Sequence, residues 1–275
     1  MINVPMFFVV GGMRCGTTSL WNNLKDHPEI FVTKIKETEY FSSKNMMSEK
    51  SYFDLFKIEN EKIAGECSTI YLRDPISSKL IKENFPNAKI IIILRDPTER
   101  ALSHYLSYYI KNEKFDIANE INVNIKKFEK NDFKNVLTFG TYSEQIQRFI
   151  DLFGKNNVKI IYFENYIQDF HKTILDVFKF LDVSTDITIE KYKENDFFEP
   201  RRRVIKILRN PIIRNIGKIV NEETRDKYYK KFREKSNKKP KLNKNERNIL
   251  REFYKDEIEK VEKITGVKTK WGNNQ

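Results

Sequence analysis

The sequence predicts an α/β domain, a central parallel sheet flanked by helices, and three apolar stretches carry that reading. Met6 to Val10, Lys89 to Leu94 and Val158 to Phe163 are short and rich in β-branched or aromatic residues. Strands of a parallel sheet are covered on both faces, so they read as unbroken apolar runs without in–out alternation. Each run leads through turn residues into a helical pattern, as a parallel sheet requires. With 275 residues, 39% hydrophobic and 13% aromatic, the chain can bury one sizeable core or two unequal lobes. It shows no internal repeat and no Gly/Ser linker. The expectation is one domain over residues 1–275, with a basic, lid-like segment at about 200–240 inside it.

The first strand ends in the most informative segment. Gly11 and Gly12 break the apolar run, Arg14 sits in a tight loop, and Gly16-Thr17-Thr18-Ser19 opens a helix from Leu20 to about Asp26, closed before Pro28. A strand feeding a glycine-containing loop and a helix N-terminus makes an anion cradle, because unpaired N–H groups and the positive helix end share one target. Thr17, Thr18 and Ser19 add hydroxyl donors, and Arg14 adds a permanent charge in a planar fork. Gly11 and Gly16 have the Walker spacing. Thr17, however, stands where that motif needs lysine, and the cation has moved inside the loop to Arg14.

The second strand, Lys89 to Leu94, runs into Arg95-Asp96-Pro97-Thr98-Glu99-Arg100. Asp96 suits an N-cap, Pro97 the first helical position, and Glu99 the return half of a capping box. Arg95 then lies at a strand's carboxyl end, in the crevice where open α/β sheets bind ligands. Downstream, Gly140-Thr141-Tyr142 precedes an amphipathic stretch to Phe153, then the strand from Val158. A helix through Ile174, Val177, Phe178 and Leu181 follows. The last long helix starts from an Asn243-x-x-Glu246 capping box and stops at Gly266, with Trp271 packing beyond it. A lysine- and asparagine-rich stretch, Glu234 to Asn248, and a charged insertion, Glu113 to Asn135, are expected as surface segments or short helices.

The phrase Gly12-Met13-Arg14-Cys15-Gly16-Thr17-Thr18-Ser19-Leu20, with Leu24 and His27-Pro28 after it, resembles the 5′-phosphosulfate loop of one enzyme family. These are the sulfotransferases that use 3′-phosphoadenosine 5′-phosphosulfate (PAPS). The resemblance implies cofactor contacts from Arg14, Cys15, Gly16, Thr17, Thr18 and Ser19. LRDPTERALSHY resembles the family's 3′-phosphate motif and implies that Arg95 and Ser103 hold that group. Lys36-Glu37-Thr38-Glu39-Tyr40-Phe41 resembles a phrase of the carbohydrate- and heparan-modifying branch, where the glutamate is the general base. That role falls on Glu37, against the alternative of a solvated charge in a lysine-rich loop. Relatives often have histidine where Glu39 stands, so no role passes to Glu39. They often have lysine where Cys67 stands in Gly65-Glu66-Cys67-Ser68-Thr69-Ile70-Tyr71-Leu72. A basic segment that closes over the nucleotide is usual in the family, and Arg201, Arg202 and Arg203 fit its place.

The resemblance therefore implies a bacterial-type sulfotransferase moving a sulfuryl group from PAPS to a hydroxyl or amine. The acceptor would be a glycan or small hydroxylated metabolite, with adenosine 3′,5′-bisphosphate (PAP) as the other product and no metal. Two alternatives stay open: a P-loop-type kinase or NTPase, and a basic nucleic-acid-binding module suggested by the net charge of +12 and the Lys/Arg cluster from Arg201 to Lys244. The two phosphate motifs favour a polyanionic nucleotide over nucleic acid as the reason for the charge. Neither a membrane span nor metal-ligand spacing around His27, His104 and His171 is expected. The N-terminal run has no basic residue before it and reads as a strand, not a signal peptide. Cys15 and Cys67 are too few for a disulfide framework and suggest a reducing, cytoplasmic setting.

Overall fold

The structure is a computed structural model, described here for residues 3–111, 116–130, 135–187, 198–200, 233–235 and 244–272. All three predicted strands form. In chain order the sheet strands are β1 (Met6–Gly11), β2 (Ile30–Val32), β3 (Ile63–Cys67), β4 (Lys89–Leu94) and β5 (Val158–Tyr162). They pair in the order β2-β3-β1-β4-β5, every pair parallel. The chain builds outward from β1 to β2 and β3, then crosses to β4 on the other side. That reversal makes the carboxyl end of β1 the topological switch point, where open α/β sheets form their crevice.

The unbroken apolar runs have the cause inferred from sequence. Met6, Phe8 and Val10 face one core, with Ile90, Ile92 and Leu94 beside them; Phe7 and Val9 face the other, with Ile91 and Ile93. The first core is closed by α3 (Ile70–Arg73), α4 (Ser77–Asn84), α7 (Tyr142–Phe153), the last helix and Trp271. The second is closed by α1 (Thr17–Lys25), α8 (Phe163–Gln168) and α9 (Phe170–Leu181). Truncating one of these fully buried isoleucines to alanine typically costs about 2–5 kcal/mol, because transfer and cavity terms add. Between them run α2 (Glu49–Phe53), α5 (Pro97–Lys111) and α6 (Ile117–Glu129), which occupies much of the charged insertion. The final helix, α10 (Lys244–Thr265), ends where Gly266 takes φ 72°, its N–H returning to the Glu262 carbonyl at 2.8 Å. Asn243 lies outside the described residues.

Two local expectations change. Helix α1 begins at Thr17, three residues earlier than Leu20, with Gly16 at its N-cap. At α5, Asp96 caps as expected, its Oδ1 accepting from the Thr98 N–H at 2.8 Å, but Glu99 does not return to the Asp96 N–H. That donor goes to Glu164 Oε1 at 2.9 Å, and Glu99 pairs with Arg247. A carboxylate from the end of β5 thus replaces the local one, leaving Glu99 to tie α5 to α10. The chain divides into two compact units, residues 1–192 with 242–275, and residues 193–241. The second unit contains the antiparallel pair β6 (Phe198–Pro200) and β7 (Arg233–Lys235). Among the described residues no helix is long and apolar enough to cross a membrane.

Candidate active site

Loops that leave the carboxyl ends of β2, β1 and β4 carry the charged residues singled out in the sequence, Glu37, Arg14 and Arg95. The central loop follows β1. Gly12 N–H bonds the Ile93 carbonyl at 2.6 Å, and Cys15 N–H closes a turn on the Gly12 carbonyl at 3.2 Å. The first i−4 bond of α1 runs from Leu20 N–H to the Gly16 carbonyl, so Thr17, Thr18 and Ser19 have no i−4 partner for their N–H groups. Gly16 sits at φ 92°, and a Cβ there would meet the Phe163 ring at 2.8 Å. Any other residue at 16 faces both strain and a clash.

Arg14 projects from this loop at φ 67°, a left-handed conformation uncommon for a branched cation. Its pKa is lowered first by partial desolvation and then by repulsion from Arg100 and Arg95. The Cys15 side chain turns inward to Tyr142, and burial pushes its thiol up to about 11. Cys15 therefore meets the cradle through its backbone alone. Ser19 Oγ lies 3.0 Å from the Tyr166 hydroxyl, while Thr18 is exposed.

Arg95, at the end of β4, leans toward the same loop. Its Nη1 donates to the Arg14 carbonyl at 3.4 Å and its guanidinium lies 4.9 Å from the Phe163 ring centre. Phe163 thus packs on both Gly16 and Arg95. Tyr142 braces the strand end, its hydroxyl donating to the Arg95 carbonyl at 3.0 Å. Ser103 lies half-buried two turns into α5. Arg201, Arg202 and Arg203 lie outside the described residues.

The third loop delivers Glu37. Its N–H continues the β3 edge by bonding the Cys67 carbonyl at 2.8 Å. Its Oε2 accepts from the Thr69 N–H at 2.7 Å and the Thr69 hydroxyl at 3.0 Å, and its Oε1 pairs with Lys36 Nζ at 2.5 Å. Thr69 follows β3 directly, and the Ser68 N–H bonds the Val9 carbonyl on β1. Glu37 is therefore anchored beside the end of β1, not loose in a lysine-rich loop. Below it, Thr38 and Tyr71 donate hydroxyls to the fully buried Glu66, the latter at 2.6 Å. Burial pushes the Glu66 carboxyl up to about 7. Glu37 and Glu39 both hold left-handed backbones, φ 63° and 54°. With Arg14, they are three of the four described non-glycine residues at positive φ. Such strain collects where a site fixes its groups. A cavity of about 550 Å³ opens here, lined by Glu37, Glu39, Lys44 and Met47 among others.

Sequence reasoning missed the supports. Thr69, which holds Glu37, lay within a quoted phrase without a role, and Glu164 had no local signal at all. Cys67, at the position where relatives often carry lysine, is a buried thiol pushed up to about 12 by desolvation. The ammonium group nearest this corner comes instead from Lys36, whose own pKa is raised: burial opposes charge there, and the fields of Cys67 and Glu37 outweigh it.

A helix N-terminus at the switch point of a parallel α/β sheet, with a second cation on the next strand, suits a phosphate-bearing ligand. The sulfotransferase domain family matches residues 5–268, and the chain belongs to it. Over 109 residues, 38% of this chain and 23% of the relative, it is 37% identical to the membrane-associated sulfotransferase kil1 of Dictyostelium discoideum. Human carbohydrate sulfotransferase 15 is 24% identical over 246 residues, 66% of this chain and 44% of that protein. The chain thus spans less than half the length of these curated relatives. The crystal structure of a sulfotransferase from Alicyclobacillus acidocaldarius superposes with a TM-score of 0.75 at 22% identity, covering 99% of this chain and 100% of that one.

Proposed function

We propose that the protein transfers a sulfuryl group from PAPS to a hydroxyl or amine of a carbohydrate-type acceptor, releasing PAP. The observation that carries this is that Arg14 and Arg95 stand after the neighbouring strands β1 and β4 while Thr69, after β3 on the other side of β1, anchors Glu37. Two cations and an array of free N–H groups suit a nucleotide with phosphates at both 3′ and 5′ positions. In the reaction the acceptor oxygen or nitrogen bonds to sulfur as the bond from sulfur to the 5′-phosphate oxygen breaks. The acceptor proton passes to Glu37, and negative charge collects on the departing phosphate. Arg14 and the α1 N–H groups stabilise that charge; one well-aimed donor of this kind contributes roughly 3 kcal/mol. Thr69 and Lys36 fix the Glu37 carboxylate while leaving Oε1 one acceptor site for the proton. Ser103, the Arg201–Arg203 triplet and a reducing, cytoplasmic setting belong to the same proposal. Human carbohydrate sulfotransferase 15 supports the acceptor class by its name.

The test begins with binding. PAP at 100 times its dissociation constant should stabilise the fold by about 2.7 kcal/mol, read as a rise in melting temperature. AMP and ATP should do far less, because they lack the 3′-phosphate. Equal shifts with PAP and AMP would remove the 3′ assignment. Mass spectrometry of a glycan panel incubated with PAPS then reads the added sulfuryl group directly.

A further inference from the structure

Arg100 has no part in the transfer described above, yet its setting demands a reason. It lies in the first turns of α5, fully buried. Its close polar partners are the Val136 carbonyl at 2.6 Å, the His104 ring at 3.4 Å and the Tyr254 hydroxyl. None is a carboxylate, and Nε has no hydrogen-bond partner among the described residues. The acids of this neighbourhood are engaged elsewhere. Asp96 accepts from Thr98 and Gly272 N–H groups, Glu164 from the Asp96 N–H and the Trp271 indole, and Glu99 pairs with Arg247. A guanidinium cannot shed its proton, and a buried charge without a counter-ion is costly. The field of Arg100 reaches Arg14 and the loop residue Cys15, and Arg14 also feels Arg95. Three cations thus bear on one cradle, with no counter-ion for Arg100 among the described residues.

We propose that Arg100 is a positioning cation for the nucleotide: from its buried place in α5 it raises the potential at which a 3′,5′-bisphosphate docks, and the bound polyanion completes its charge balance. It works through low-dielectric protein without touching the nucleotide, where a fixed charge acts more strongly than at the surface. This rests on the PAPS reading above.

Calorimetric titration of Arg100→Gln and Arg100→Lys with PAP and with AMP, over a range of salt, tests it. Arg100→Gln keeps a donor for Val136 but loses the charge. PAP binding should weaken roughly tenfold or more, AMP binding less, and the salt dependence of PAP binding should flatten. Arg100→Lys should retain most of the PAP-over-AMP preference. A purely structural arginine would lower the melting temperature in both variants while leaving the preference and the salt slope as in wild type, and that result overturns the proposal. Should Arg100→Gln fail to fold, the wild-type Arg100 Nε–H resonance decides: it must shift on adding PAP and stay put with adenosine. Wild-type protein that ignores PAP would sink the PAPS reading itself, whereas an unchanged preference sinks only the role of Arg100.

Discussion

The two sides of the candidate site are built in different ways. The nucleotide side, after β1 and β4, is made of backbone: N–H groups at a helix start, a glycine that tolerates no Cβ, and two arginines placed by strand ends. The proposed acceptor side, where the loop after β2 meets the end of β3, is made of side chains: Glu37 held by Thr69 and Lys36, over Thr38, Tyr71 and the buried Glu66. A backbone cradle recognises any group with the right charge and shape. A side-chain network fixes one carboxylate and can be retuned by single substitutions. On the proposed assignment, the nucleotide end rests on backbone that few substitutions can retune and the acceptor end on side chains that single substitutions can change.

Glu37→Gln tests the acceptor side and should have the largest effect. It keeps shape and most hydrogen-bonding capacity but removes the proton acceptor, so turnover should fall between about 10² and 10⁴-fold. PAP affinity should stay near wild type, because the glutamate faces the acceptor. Glu39→Gln is the control, since among the described residues no hydrogen bond or ion pair ties its carboxylate to the site's supports; a loss there as large as at Glu37 would show that the two acids have exchanged roles.

On the nucleotide side, Arg14→Ala should cut turnover by about 10² to 10³, the usual consequence of removing one donor aimed at developing charge. Affinity for PAP should suffer less, because the α1 N–H groups survive the change. Unchanged turnover with a raised Michaelis constant would mean that Arg14 only binds, and the two sides would then not divide as described.

The same division explains what was legible in the sequence. The β1 loop and the Asp96 cap are local: glycines, a helix start and a proline at fixed spacing state their geometry within ten residues. The strands β1, β4 and β5 followed from their apolar runs, because both faces of β1 and β4 are covered. β3 carries no comparable signal, since Gly65 and Glu66 interrupt the apolar pattern after Ile63 and Ala64. Thr69 meets Glu37 across thirty-two positions, and Glu164 meets the Asp96 N–H, in place of Glu99, across sixty-eight. Such pairings are created by strand register, which no local spacing encodes. Glu66 was hidden for another reason: a glutamate in sequence looks like a solvated charge until two hydroxyls and full burial are seen around it.

Glu66 also gives the smallest of these effects and the one whose sign is least intuitive. Its carboxyl is raised from 4.5 to about 7 by burial, so the folded state holds a proton that the unfolded chain releases. Stability from this group is complete below about pH 4.5, declines as pH rises toward 7, and is flat above that. Most carboxylates behave oppositely, gaining stability as pH rises. Glu66→Gln cannot ionise, and it should abolish this decline. Relative to wild type the variant should therefore gain on the order of 3 kcal/mol between pH 4.5 and 7.5, measured by chemical denaturation at a series of pH values. The comparison between variants, taken at each pH, cancels every other titrating group. A constant offset across the series would mean that Glu66 is ionised in the folded protein throughout. The hydroxyls of Thr38 and Tyr71 would then be holding a carboxylate rather than a carboxylic acid beneath Glu37, and the acceptor side would carry a second buried negative charge.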